Sequence, residues 1–500
     1  DLLWNGGIGT YVRATSETDA QVGDRANDPV RVTAKDVRAK AAGEGGNLGW
    51  TQAGRIEYAR NGGRINTDFI DNSAGVDTSD HEVNIKILLD AEVAAGRISE
   101  QERDELLPAM ADDVASLVLR HNHSQNLALA NALSSDGPTA GVLEAWMCEL
   151  EESGHLDRAV DTMPSTTEMN RRMAAGERLA SPELCTLLAW TKIALCDAVL
   201  ATDLPEDPFV ADRLVGYFPP LLRERFTERM PTHRLHREII TTEAVNRFVD
   251  SQGITAYYRL HLQTGADIAQ VIRCQLAARS VFGLGRVETD LTHLGLDAVR
   301  TAKIRLALTD LAMHATRWFL NHGGADDIAG TIETYRPGVA TLVEKLSERL
   351  LGDSADAWQE KVDEVTELGL DRSDAAVVAA YDWSPVLLSI VEISEEGHPL
   401  DEVADAYLTL ARRVDMIRLT RLVEQLPQDR PTDARVRASL REDLLRVMSD
   451  ATRRALVIGT DNVLADGGRI VKSIAANPDL AHCVVMVSDL RSAVGQEVTL

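Results

Sequence analysis

The chain has 500 residues, 44% of them hydrophobic, and a net charge of -26. That length exceeds one core and predicts about three domains, while the apolar content excludes a disordered chain. Residues 1–75 carry ten acids and nine bases, so the acid excess lies downstream, and such a surface repels nucleic acid and anionic membrane.

The five cysteines (Cys148, Cys185, Cys196, Cys274 and Cys483) are odd in number, widely spaced and without a CxxC pair. They read as reduced thiols of a cytoplasmic protein, not as a disulfide framework or structural zinc. No apolar run approaches the ~20 residues that span a bilayer. The chain begins Asp1-Leu2-Leu3-Trp4 inside a strand-like run, with neither Met nor signal peptide, and is read as the C-terminal part of a longer protein.

Residues 1–76 hold 12 of the 34 glycines. Leu2 to Trp4 predicts a strand, ended by Asn5-Gly6-Gly7-Ile8-Gly9. Residues 13–36 are polar and irregular. Val37 to Ala42 predicts a second strand, Thr51 to Arg60 a helix closed by Asn61-Gly62-Gly63, and Ile65 to Ile70 a third strand. This order suits a doubly wound α/β sheet. From Asp80 the pattern is helical. Ser99 to Glu102 is a capping box opening a long helix with Leu106, Met110, Val114, Leu117 and Val118 on one face, running to about Leu133. Residues 134–138 then break it. Beyond lie expected helices at 139–152, 181–201, 235–250, 265–282, 297–321, 337–351, 355–368, 400–425, 431–454 and about 478–494. No fixed-period repeat occurs. The predicted fold class is therefore α/β followed by mostly α, with parts at 1–79, 80–136 and 137–500.

Gly43-Glu44-Gly45-Gly46-Asn47-Leu48-Gly49 and Asp71-Asn72-Ser73-Ala74-Gly75 each follow an apolar run. That is how the ligand edge of a parallel sheet reads. Asn47 and Asn72 carry amides able to hydrogen-bond a ribose or an amino acid, yet asparagine is also an ordinary turn former. Ser79, read as lying at a helix start, is either a plain cap or a hydroxyl receiving a carboxylate. Gly6 and Gly7 would let a ribose lie against the backbone. His121 and His123 point about 100° apart in one helix and read as surface polar residues. His233 and His236 lack a carboxylate pattern, so no metal site is expected. GxGxxG, GxSxG and GxxxxGK[ST] motifs are absent.

These segments resemble the glutamate dehydrogenases. Gly43 to Thr51 reads GEGGNLGWT where many of those enzymes have A-E-G-A-N-x-P-T-T. Thr67 to Ser79 follows their P-D-x-x-A-N-A-G-G-V-x-x-S pattern without gaps. The chain is most similar to the large bacterial NAD-specific type, through DLLWNGGIGTYV, VGDRAND, DNSAGVDTSDHEVNIKIL, SPELCTLLAWTKIAL, YFPPLLRERF and HRLHREIITTEAVNRFV. The resemblance implies oxidative deamination of L-glutamate to 2-oxoglutarate with NAD as hydride acceptor. It implies the last part of a Rossmann-like NAD domain, helices returning to a substrate domain, an all-α C-terminal domain and a homo-oligomer. Asn47, Asn72, Gly6 and Gly7 match cofactor positions, and Asn72 and Ser79 match substrate positions. The catalytic lysine and aspartate belong to an upstream domain, so no residue here is expected to transfer protons. Gly49, Trp50 and Ala74 depart from the pattern. A rival reading, a non-catalytic helical scaffold or regulatory module, predicts Asn47, Asn72 and Ser79 scattered in space; the enzyme reading predicts one cleft.

Overall fold

The computed structural model describes residues 1–134, 139–426, 431–464 and 479–495. They form two compact units, Asp1–Ala256 and Tyr257–Leu500. The division falls inside the 137–500 segment. The expected break at 134–138 lies largely outside the described residues.

The first unit opens with short parallel strands. β1 (Leu2–Asn5) pairs with β4 (Ala41–Glu44), Leu2 opposite Ala41 and Asn5 opposite Glu44. β2 (Val12–Arg13) pairs with β3 (Val32–Thr33). Single bridges join Ala41 to Arg64 and Val12 to Trp50. Helix α1 (Gln52–Arg60), capped by the Thr51 hydroxyl, covers these strands. Val12, Ala34, Ala42, Trp50, Tyr58 and Ile65 form the shared core. β1 contributes little to it: Leu2, Leu3 and Trp4 are 66%, 41% and 61% exposed.

Two strand expectations are corrected. The strand predicted at Val37 to Ala42 is β4 at Ala41–Glu44, displaced because the acidic Glu44 is buried and paired rather than marking an exit. The third strand, at Ile65 to Ile70, is reduced to the Arg64 bridge. Asp68–Asp71 is instead one helical turn. The Asp68 carboxylate accepts from the Phe69 N–H at 2.9 Å, the local side-chain bonding by which aspartate diverts a chain from a ladder.

Helix α2 (Ser73–Ala94) begins at Asn72. The long helix expected from Ser99 to Leu133 is two, Glu100–Ala109 and α3 (Ala111–Leu133). Pro108 lacks an N–H and crowds the preceding turn, and the chain reorients at Met110. α3 packs against α2, against α4 (Ser181–Leu200) and against α5 (His236–Gln252).

The described residues of the second unit are helical. α6 (Ile268–Val281) packs on α7 (Ala298–Asn321) and α8 (Ile328–Arg349). α9 (Ser384–Ser394) lies against α7, α8, α10 (Leu400–Arg413) and α11 (Pro431–Ile458). The helix expected at 337–351 starts earlier, because Asp327 caps it by accepting from the Gly330 N–H at 3.0 Å. The one expected at 400–425 breaks at Asp415, whose φ is 47°. Contrary to expectation, the stretch Arg372–Ser394 is long and apolar enough to cross a membrane by length and composition. It is apolar because it is core: 67% of its most apolar window is buried within the protein.

Candidate functional site

The carboxyl ends of β1 and β4 lie side by side, so the turns that follow them meet. The Asn5 carbonyl accepts from the N–H groups of Gly45 at 2.8 Å and Gly46 at 3.1 Å. A Cβ on Gly46 would lie 2.7 Å from the Gly7 carbonyl oxygen, so only glycine lets the two backbones approach this closely. Gly6 and Gly7 themselves are exposed, and a Cβ on Gly7 would meet nothing within 4 Å.

Asn47 stands at the tip of the second turn, which is fixed from beneath. Glu44 is completely buried, and Arg55 donates to it from Nε at 2.7 Å and from Nη2 at 3.0 Å. Arg55 Nη2 also reaches Asp68 Oδ2 at 3.1 Å. Glu44 Oε1 accepts from the Trp50 N–H at 3.1 Å, and Asp68 Oδ2 accepts from the Leu48 N–H at 2.7 Å. One guanidinium thus holds two carboxylates that grip the loop on either side of Gly49. Burial pushes the Glu44 carboxyl up, opposed by Arg55. Leu48 sits at a left-handed φ of 62°, a conformation the flanking hydrogen bonds impose.

Asn72 enters from the other side. Its Nδ2 donates to Asn47 Oδ1 at 3.0 Å. The corner that carries Asn72 is anchored to α3, where Asn122 Nδ2 donates to the Ile70 carbonyl and to Ser73 Oγ, both at 2.8 Å. It is tied to α4 through Thr67 Oγ1, which donates to the Pro182 carbonyl at 3.1 Å. Burial raises the neighbouring Asp71 carboxyl, against the Glu44 N–H that donates to it. Gly6, Gly7, Asn47 and Asn72 therefore belong to one sheet edge.

Ser79 requires a correction. It is not at a helix start but inside α2, exposed, its hydroxyl donating to the Val76 carbonyl at 2.7 Å. The N-terminal dipole expected to back it lies two turns away. Seven residues of helix put it on the same side as Asn72, roughly 10 Å along the axis.

Residues 1–132 match the family model for the bacterial NAD-glutamate dehydrogenase catalytic domain, and residues 176–497 match the glutamate dehydrogenase C-terminal model. The chain belongs to the bacterial NAD-glutamate dehydrogenase family. It is 40% identical over 461 residues to the NAD-specific glutamate dehydrogenase of Mycobacterium tuberculosis, covering 92% of this chain and 28% of that protein. The Pseudomonas aeruginosa enzyme of the same description is 38% identical over 512 residues, covering 100% of this chain and 31% of the relative. That of Halomonas elongata is 36% identical over 466 residues, covering 92% and 29%. The chain spans about three-tenths of the length of these relatives.

The supports of the loop, Glu44, Arg55, Asp68 and Asn122, escaped the sequence reading. A buried acid reads as a surface one until its partner is known. His121 was expected at the surface. It is partly buried, with Nδ1 2.8 Å from Asp77 Oδ2. His233 and His236 each bond a backbone carbonyl, Asn84 at 3.0 Å and His233 at 2.8 Å. Lys86 pairs with Glu82 one turn away, both exposed. A cleft lined by Ile56, Glu57, Arg60, Asn61, Arg158 and Met163 includes neither Asn47 nor Asn72.

Proposed function

We propose that this chain supplies part of the cofactor and substrate cleft of an enzyme that oxidatively deaminates L-glutamate to 2-oxoglutarate and ammonium. The observation that carries this reading is the Asn72–Asn47 hydrogen bond at the glycine-lined edge of the β1–β4 pair. The names of the relatives support glutamate and NAD. The rival scaffold reading needs these asparagines apart.

The residues present fit a nicotinamide dinucleotide. Gly46 lies too close to the Gly7 carbonyl for a side chain of its own, and the two glycines leave backbone bare. Asn72 makes no side-chain cap bond on α2, and neutral amides such as those of Asn72 and Asn47 suit hydroxyl or amide groups of a ligand. When bound, NAD accepts the hydride from the substrate α-carbon. The chain's own part is to position: Asn47, Gly6 and Gly7 hold the cofactor, Asn72 touches both partners, and Ser79 receives the substrate side-chain carboxylate. Holding reactants in a fixed mutual geometry is itself a large share of catalysis. No residue of this chain is assigned to proton transfer.

On the same reading, residues 1–79 end a Rossmann-like NAD domain, 80–136 return as helices to the substrate domain, and 137–500 form the helical C-terminal domain. The gap between the two family matches, at 132 and 176, supports the middle boundary. The protein acts in the cytoplasm as a homo-oligomer, with no nucleic-acid or membrane partner. Its charge of -26 and five free cysteines support that setting.

The test is NADH production from glutamate by the full-length enzyme carrying Ser79→Ala or Asn72→Ala. Each is expected to raise KM for glutamate several-fold. Wild-type kcat/KM in both variants would sink the assignment.

A further inference from the structure

Beyond the asparagine edge, α2, α3 and α5 enclose a second polar group. Asp77 and His81 lie four residues apart on α2, so their side chains share one face of that helix. α3 brings His121 against them. One oxygen of Asp77 and one ring nitrogen from each histidine lie within 4.8 Å of one another. His121 Nδ1 is 2.8 Å from Asp77 Oδ2, and His81 Nε2 is 3.7 Å from Asp77 Oδ1.

His81 is the telling member. It is 0% exposed, and neither ring nitrogen has a hydrogen-bond partner. Its ring stacks on Tyr217, centroids 4.2 Å apart, which fixes its plane toward Asp77. A buried imidazole with an unmet lone pair is costly, and aiming that lone pair beside a carboxylate is what a cation site does. The far side of His121 also fits. Its Nε2 lies 3.7 Å from Glu243 Oε1 on α5, beyond a hydrogen bond but near enough for Glu243 to close into the one by which a carboxylate orients a ligating imidazole. Asp80 adds negative charge next to Asp77, while Arg120 and Arg213 supply positive charge at longer range.

We propose that Asp77, His81 and His121 bind one divalent transition cation of the zinc class, with Glu243 as the orienting carboxylate. Two imidazoles and one carboxylate are borderline ligands suited to zinc. Drawing the three atoms onto a tetrahedral ion, with bonds of about 2.0–2.2 Å, takes a turn of the His121 ring, which stacks near-parallel to His81 with centroids 5.8 Å apart. The fourth position is left to water. This site is independent of the glutamate reading, because it rests on no substrate or cofactor contact.

The test uses the whole chain with Zn2+ and Co2+ as probes. Zinc retained after dialysis is counted by elemental analysis, and cobalt coordination is read from its visible spectrum. The expected result is one equivalent of zinc and, for the metal-stripped chain loaded with Co2+, a tetrahedral spectrum free of thiolate charge transfer. His121→Gln and Asp77→Asn should abolish retention with unchanged far-ultraviolet circular dichroism. Glu243→Gln should weaken zinc binding about 10–100-fold. A folded wild-type chain that keeps no zinc, a thiolate band from the cysteines, or retention undiminished in His121→Gln would each overturn the site. The wild-type measurements stand even if a variant fails to fold.

Discussion

Asn72 reaches across 25 positions of sequence to donate its side-chain amide to Asn47 Oδ1 at 3.0 Å. Each asparagine sits on its own rigid support, Asn47 on the Glu44–Arg55–Asp68 cluster and Asn72 on Asn122 of α3. Two amides held this way act as one unit. In the full-length enzyme, Asn47→Ala and Asn72→Ala are each expected to lower kcat/KM about tenfold, roughly 1.4 kcal/mol. The double variant should cost little more than either alone. Steady-state kinetics on the four proteins check this; strictly additive losses would show that the pair does not act together.

Arg55 carries the loop. Replacing it by methionine leaves Glu44 and Asp68 buried against each other without a cation. Breaking a buried pair from one side costs about 3–5 kcal/mol, so Arg55→Met should lower the urea midpoint of the first unit sharply. Arg55→Lys keeps the charge but loses the two-pronged donor, and should fall between wild type and Arg55→Met. Equal stability of all three would contradict the role given to the guanidinium.

The two glycine turns make opposite predictions. In Gly46→Ala the new methyl meets the Gly7 carbonyl at 2.7 Å, a backbone atom that cannot swing aside. A loss of about 1–3 kcal/mol is expected, together with weaker NAD binding. In Gly7→Ala the methyl meets nothing within 4 Å, so stability should change by less than about 0.5 kcal/mol. Its NAD affinity should nonetheless fall, because the bare backbone is what the cofactor is proposed to lie on. Thermal melts and NADH fluorescence titration separate these effects.

A pH dependence is built into the second unit. Burial disfavours the His322 imidazolium, but Glu392 at 2.9 Å and Glu442 at 3.2 Å outweigh it and raise its pKa to about 9. A folded pKa above the unfolded value of 6.5 means the stabilisation is full below about pH 6.5 and lost as pH rises through about 9. The change is about 3 kcal/mol. Urea unfolding at about pH 6.5 and about pH 9.5 should show it, followed by the fluorescence of Trp318, which stacks on the imidazole at 4.1 Å. His322→Gln should flatten that slope.

Helices were largely legible because their signals are local. Thr51 and Ser99 announce helix starts, and Asn61-Gly62 announces a stop, within a single turn of chain. The Asp415 break was not, since nothing nearby in the chain marks a left-handed aspartate. Strands of two to four residues carry too few positions for alternation to show, and Glu44 hid β4 by its charge. The asparagines were found from their glycine-rich settings and from resemblance. Their supports were not, because Glu44, Arg55 and Asp68 meet only after α1 folds back over the strands. His81 and His121 lie 40 positions apart and become neighbours only through the packing of α2 on α3.

Among the described residues β1 is paired along one edge, by β4, and shows a row of greasy side chains, Leu2, Leu3 and Trp4, at the surface. Naked strands of this kind are adhesive templates for foreign chains.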